Sequence, residues 1–124
     1  MLHLDYRDTR PIYAQIADGL RQQISAGVLT QGERLPSVRE LAVELSINPN
    51  TIQRAYMELE QQGLICPVKG KGSFVTDSSR IRQIGVEETL SELKKITEKG
   101  MALGVGEEEM IDVICSCYKE GNDD

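Results

Sequence analysis

The chain has 124 residues, 40% of them hydrophobic, with one Phe, four Tyr and no Trp. That size suits one small domain with an appendage and is too short for a large barrel enzyme; no apolar run reaches the ~18 residues of a membrane span, and no basic-then-apolar leader opens the chain. The formal charge of -6 argues against nucleic acid only until its distribution is read: residues 1–82 carry ten basic and nine acidic side chains, whereas 83–124 carry four Lys and eleven acidic ones.

The acidity therefore belongs to the tail, and residues 34–82 hold seven basic and five acidic groups. A strongly acidic tail would not itself sit on DNA, but the first two-thirds could. Three cysteines make an odd number and no disulfide framework, so a cytoplasmic location is expected.

Pro11 fits the first turn of a helix, where a missing N–H costs nothing. Ile12, Ile16, Leu20 and Ile24 recur every four residues behind it, which predicts an amphipathic helix ending near Gly27. Gly19 inside it points to a close contact. Val28-Leu29 then leads to Gly32, and Leu35-Pro36 closes a connection.

A second helix is expected from Ser37 over about ten residues, with Ser37-Val38-Arg39-Glu40 as a capping box and Val38, Leu41, Ala42 and Leu45 as its buried face. Ser46-Ile47 makes a tight connection. Asn48 can cap a third helix, with Pro49 in its first turn. Its stripe is Ile52, Ala55, Tyr56 and Leu59, and its stop is Gly63. Asn50, Gln53, Arg54 and Met57 lie on the other faces. A short helix, a brief turn and a helix with a polar leading edge form the helix-turn-helix arrangement.

Two β-prone runs, Leu64–Val68 and Ser73–Thr76, flank the turn Lys69-Gly70-Lys71-Gly72. They predict a hairpin in which Pro67 demotes the first strand to an edge or a bulged one. The expected fold is mainly α with a small β-hairpin: a winged helix-turn-helix over 1–76, a polar joint at 77–80, two helices within 81–119 and a frayed end at 120–124. The first tail helix is placed near 81–99 with Gly85 as a weak point, and the second runs from about 107 to 119. Glu107, Glu108 and Glu109 crowd the positive end of that last helix. Leu90, Leu93, Ile96, Ile111 and Ile114 are expected to form a homodimer interface, because two such helices cannot hide their apolar faces alone. The rival is that they fold back on the winged domain.

The enzyme case is weak. The only histidine is His3, and no Ser-His-Asp or Cys-His pair can be assembled. Cys115 and Cys117 are two apart on a helix and do not share a face; Cys66 is far away and reads as a small hydrophobe, so no metal site is expected. Lys-Gly-Lys-Gly is not a nucleotide phosphate loop, since no Gly-Lys-Ser/Thr follows a four-residue spacer. No cofactor is called for.

The residues suited to nucleic acid are Arg39, before the turn, which reads equally as a solvated charge or an ion pair with Glu40 or Glu44; Asn48, Asn50 and Thr51 at the start of the third helix; Gln53 and Arg54 behind them; and Lys69, Gly70 and Lys71 at the wing. Asn48 also reads as a plain cap. Asn50 and Gln53 can contact adenine bidentately, Arg54 can reach phosphate or guanine, and the lysines can grip phosphate or enter the minor groove. The competing reading is a winged module for protein contacts without sequence-specific DNA binding.

Leu35-Pro36-Ser37-Val38-Arg39-Glu40-Leu41-Ala42, then Asn48-Pro49-Asn50-Thr51-Ile52, Ala55-Tyr56-Met57-Glu58-Leu59-Glu60 and Gly63-Leu64-Ile65, together resemble the GntR family of bacterial transcription regulators. The opening Pro11-Ile12-Tyr13-Ala14-Gln15-Ile16 and the short tail resemble its YtrA-like subfamily. The resemblance implies a homodimer that binds double-stranded operator DNA and usually represses, often at genes for ABC transporters. It puts DNA contacts on Arg39, on Asn48, Asn50, Thr51 and Gln53, and on the wing tip Lys69, Gly70 and Lys71. Pro49 stands where many members carry an arginine. The larger subfamilies add an effector domain longer than the chain that follows Thr76. The resemblance implies a controlling signal, either a small-molecule effector or, as its rival, the repressor's own concentration or a partner protein. No membrane partner is expected.

Overall fold

The computed structural model describes residues 2–122, which form two compact units divided between Gly85 and Val86. The first unit opens with α1 (Ile12–Ser25), whose Pro11 carbonyl accepts from the amides of Ala14 and Gln15. Ile16, Leu20 and Ile24 are buried, as the four-residue spacing predicts. So is Gln15, which the hydrophobic pattern does not reveal. Its amide accepts from Asp5 N at 2.8 Å and donates to Asp5 O at 2.9 Å and Arg10 O at 3.2 Å. That satisfies a buried polar group and ties residues 5–10 to α1, while Leu2 and Leu4 pack on the core. The close contact expected at Gly19 exists: a Cβ there would fall 2.3 Å from Leu2 Cδ2.

In α2 (Val38–Leu45), Ser37 Oγ accepts from Glu40 N at 3.1 Å. Only this half of the expected capping box forms; the Glu40 carboxylate lies instead 3.8 Å from Arg34 Nη2. The turn is closed by Ile47 N to Ala42 O at 2.9 Å and Ser46 N to Val43 O at 3.3 Å, with Ser46 left-handed at φ 55°. Asn48 Oδ1 then caps α3 (Pro49–Gln61) through Asn50 N at 2.8 Å. Ile52, Ala55, Tyr56 and Leu59 are all buried. Tyr56 Oη donates to Pro36 O at 2.6 Å, and burial pushes its pKa up to about 12. Gly63, at φ 79°, ends the helix where a side chain would be strained.

The hairpin pairs β1 (Ile65–Val68) with β2 (Gly72–Val75), antiparallel, from Ile65↔Val75 to Val68↔Gly72. The register runs without a slip, so Pro67 sits opposite Ser73 on an edge strand and makes no bulge. Residues 32–35, read from sequence as connection alone, join the other side of β2: Arg34 bridges Phe74, Leu35 N donates to Ser73 O at 2.9 Å, and Val75 N donates to Glu33 O at 2.9 Å. One bridge followed by Pro36 is too short to show strand periodicity. Cys66 is exposed rather than tucked away as a small hydrophobe, because alternation along β1 puts Ile65 inward and Cys66 outward.

The joint expected at 77–80 is instead the first turn of α4 (Ser78–Ala102), a helix longer at both ends than the expected 81–99 and continuous through Gly85. Asp77 Oδ1 accepts from Arg80 N at 2.8 Å and Ser79 Oγ at 2.6 Å, and these bonds hold its carboxyl below the usual range. Ile84 is buried with the first unit's core and Ile81 packs against it.

In the second unit, α4 ends at a turn containing Gly104, and α5 (Glu107–Gly121) follows. The two helices approach closely at Gly100, where a Cβ would fall 2.3 Å from Met110 Cε. The end expected to fray from 120 is helical through Gly121; residues 123–124 lie outside the described residues. Leu90, Leu93, Ile96, Ile111 and Ile114 are all exposed in the single chain, between 39% and 62%. Among the described residues no helix is long and apolar enough to cross a membrane.

Candidate nucleic-acid interface

The buried stripe of α3 leaves Asn50, Gln53, Arg54 and Met57 exposed. Asn50 and Gln53 have no side-chain partner among the described residues, so their amides are free to contact base edges. Asn48 is exposed with its Oδ1 spent on capping, and Thr51 is half-buried in the first turn. Pro49 lacks an N–H and the amide of Asn50 is spent on the Asn48 cap, so the helix start offers fewer donors for phosphate.

Arg39 is exposed on the first turn of α2. Its guanidinium makes no ion pair among the described residues; the neighbouring Glu40 faces Arg34 instead. Of the readings open from sequence, the ion pair does not form. Arg54 is different. Its Cζ lies 3.8 Å from the centroid of the Tyr13 ring, and its Nη2 donates to Tyr13 Oη at 3.3 Å. The two line a groove of about 260 Å³ with Met57, Glu58 and Gln61.

At the wing, Lys69, Gly70 and Lys71 are all exposed. Lys71 N donates to Val68 O at 2.9 Å, closing a turn whose third residue, Gly70, has φ 77°. A side chain there would be strained, which is why glycine holds the tip. Both ammonium groups project without a partner among the described residues.

The sequence reading passed over Arg34 and Tyr13 as individual site residues. Arg34 Nε donates to Lys71 O at 3.1 Å, and a Cβ on Gly72 would meet that Nε at 2.9 Å. The one available sign was a cation just before Leu35-Pro36 opposite a glycine-rich turn. Tyr13, beside the apolar stripe of α1, carries no separate signal in the sequence. Among the described residues no His/Cys/Asp/Glu group is arranged to hold a metal ion, and Cys115 and Cys117 are free and exposed.

The model of bacterial regulatory proteins of the gntR family matches residues 12–75, which span the three helices and the wing. An uncharacterized HTH-type transcriptional regulator, YhcF of Bacillus subtilis, is 36% identical over 121 residues, covering 94% of this chain and 96% of its own. The HTH-type transcriptional repressor YtrA of the same organism is 39% identical over 80 residues, 64% of this chain and 62% of its own. Among solved structures, a GntR family transcriptional regulator from Listeria monocytogenes is 37% identical with a TM-score of 0.74, over 91% of this chain and 98% of its own. The DNA-binding domain of AraR, solved in complex with operator ORX1, is 30% identical with a TM-score of 0.53, over 59% of this chain and 87% of its own.

Proposed function

The chain belongs to the gntR family of bacterial regulatory proteins, and on that premise we propose that it is a cytoplasmic homodimeric repressor that reads an inverted-repeat operator. Membership of this family makes it a DNA-binding regulator and not an enzyme. The observation that carries the rest is the set of exposed groups on the helix-turn-helix and wing that have no partner among the described residues: Arg39 on α2, Asn50 and Gln53 on α3, Lys69 and Lys71 on the turn. In this reading the start of α3 enters the major groove, Gln53 and Asn50 contact base edges, Arg39 and Arg54 reach phosphate or guanine, and the wing grips flanking backbone.

The twofold reading is supported by the exposed apolar side chains Leu90, Leu93, Ile96, Ile111 and Ile114, which a second copy would cover. A dimer holds two winged units about a twofold axis and so favours paired half-sites. The YtrA-like assignment is supported by the partial match to YtrA. It brings transporter genes as the target class. A small-molecule effector would find a cleft of about 600 Å³ within the first unit, with Ile24, Leu29 and Ile81 on its walls and Arg82 beside them.

The test is selection of bound duplexes from a random pool by purified protein, followed by footprinting. A recovered site with two inverted half-sites is the expected result. A strong site without inverted symmetry removes the twofold model, and no binding at low salt replaces the whole reading with a protein-contact module.

A further inference from the structure

We propose that Arg34 is a positioning residue that locks the wing to the start of α2, so that Lys69 and Lys71 reach DNA only while Arg34 is in place. This rests on the DNA-binding reading above for its consequence, but not for the lock itself.

The lock is built from four observations. Arg34 Nε donates to the Lys71 carbonyl at 3.1 Å, so the guanidinium is bonded to the backbone of the turn. Its Nη2 lies 3.8 Å from Glu40 Oε1, on the first turn of α2. Its own backbone pairs with Phe74 of β2, which fixes where the side chain starts. Gly72 has no side chain where a Cβ would come within 2.9 Å of Nε, so the turn is shaped to admit the arginine.

Chemistry makes arginine suited to this place. Its planar fork carries several donors at fixed angles, so one guanidinium can face a carbonyl through Nε and a carboxylate through Nη2. A hairpin turn of Lys-Gly-Lys with Gly70 and Gly72 both at positive φ has little stiffness of its own. Two ammonium groups on such a turn lose much conformational freedom on gripping phosphate. A bond to the Lys71 carbonyl removes part of that freedom before DNA arrives, which is preorganisation. Glu40 Oε1, 3.8 Å from Nη2, faces the same guanidinium from the first turn of α2.

The experiment compares wild type, Arg34→Ala, Arg34→Lys, Lys69→Ala/Lys71→Ala and the triple variant on a duplex that wild type selects from a random pool. The slope of log affinity against log salt falls by about 0.9 for each phosphate that the protein ceases to neutralise. Arg34→Ala should lower it by as much as the double lysine change, about 1.8 per winged unit. The triple variant should fall no further, and the footprint should lose its outer flanks. Arg34→Lys keeps the charge but cannot bridge both partners, and should behave like Arg34→Ala; it also retains the aliphatic stem, so it reports on the lock if the alanine variant fails to fold. An Arg34 effect that simply adds to that of the lysines, or a wild-type slope in Arg34→Lys, overturns the proposal. A second measurement needs no DNA: amide exchange at Lys71 in the free protein should speed up several-fold in both Arg34 variants. Unchanged exchange refutes the lock, whereas faster exchange in a protein that binds no duplex leaves the lock standing and removes the DNA-binding reading.

Discussion

The guanidinium of Arg54 lies over the ring of Tyr13, 3.8 Å from its centroid, and donates to the phenol oxygen at 3.3 Å. A side chain of the third helix is thereby held by the first. Tyr13→Ala should release it and weaken operator binding, by about 0.5–1 kcal/mol for an exposed stack of this kind. Tyr13→Phe keeps the ring and should lose only the part owed to the hydroxyl. Titration of the two variants against one selected duplex separates the contributions; equal affinity in Tyr13→Ala and wild type would show that Arg54 needs no such support.

Arg39→Ala should weaken operator binding while leaving the thermal midpoint near that of wild type, since its side chain is exposed and makes no ion pair among the described residues. Gln53→Ala should instead relax preference at one base pair, by about 1–3 kcal/mol for a bidentate contact. Repeating the selection with each variant distinguishes a group that holds backbone from one that reads a base. A Gln53→Ala variant selecting the unchanged site places that side chain off the bases.

Truncation after Gly85 should give a folded monomer with much weaker operator binding, measured by light scattering and titration. This stop retains Ile81 and Ile84, which belong with the first unit's core. Stopping at residue 79 removes both and should cost about 2 kcal/mol or more of stability from lost burial. A dimer mass persisting after the longer truncation would take the interface away from Leu90, Leu93, Ile96, Ile111 and Ile114.

The phenol of Tyr56 stays protonated in the folded protein up to about pH 12, against an ordinary value of 10.0. Between those limits unfolding releases a proton, so stability is complete below pH 10 and declines as pH rises towards 12. Tyr56→Phe should lack this decline. It should also be less stable at neutral pH by about 1–2 kcal/mol, because the half-buried Pro36 carbonyl loses its donor. Denaturant midpoints of the pair across this range are the measurement; parallel curves would assign the alkaline loss to other groups.

Much of the architecture was legible because it rests on spacing and punctuation. Ile12, Ile16, Leu20 and Ile24 repeat along one helix face, and Asn48-Pro49 and Gly63 mark the two ends of α3. The hairpin was legible from Lys-Gly-Lys-Gly between two apolar runs. What escaped lacks a period. The strand-like stretch at 32–35 is a single bridge, and the α4 start was hidden because Asp77 looks like any polar residue until its oxygen is seen on the Arg80 amide. Gln15 breaks no hydrophobic period, yet it is buried, with its amide bonded to the Asp5 backbone. The sequence pointed to the exposed cations and amides of the candidate site but not to their supports: Arg34 is linked to the Lys71 carbonyl, and Tyr13 to Arg54, only by the folded chain.

Pro67 lies on β1, whose one strand partner among the described residues is β2. Thr76 N bonds to Leu64 O, so hydrogen-bonded pairs alternate from there and the nitrogen of Pro67 faces outward. The free margin of the sheet is therefore missing a donor near its middle. A second copy arriving edge-on cannot extend the ladder there, which matters for a protein that two inverted half-sites would hold as close neighbours. The ring that weakens this strand as a strand also guards it against unwanted self-association.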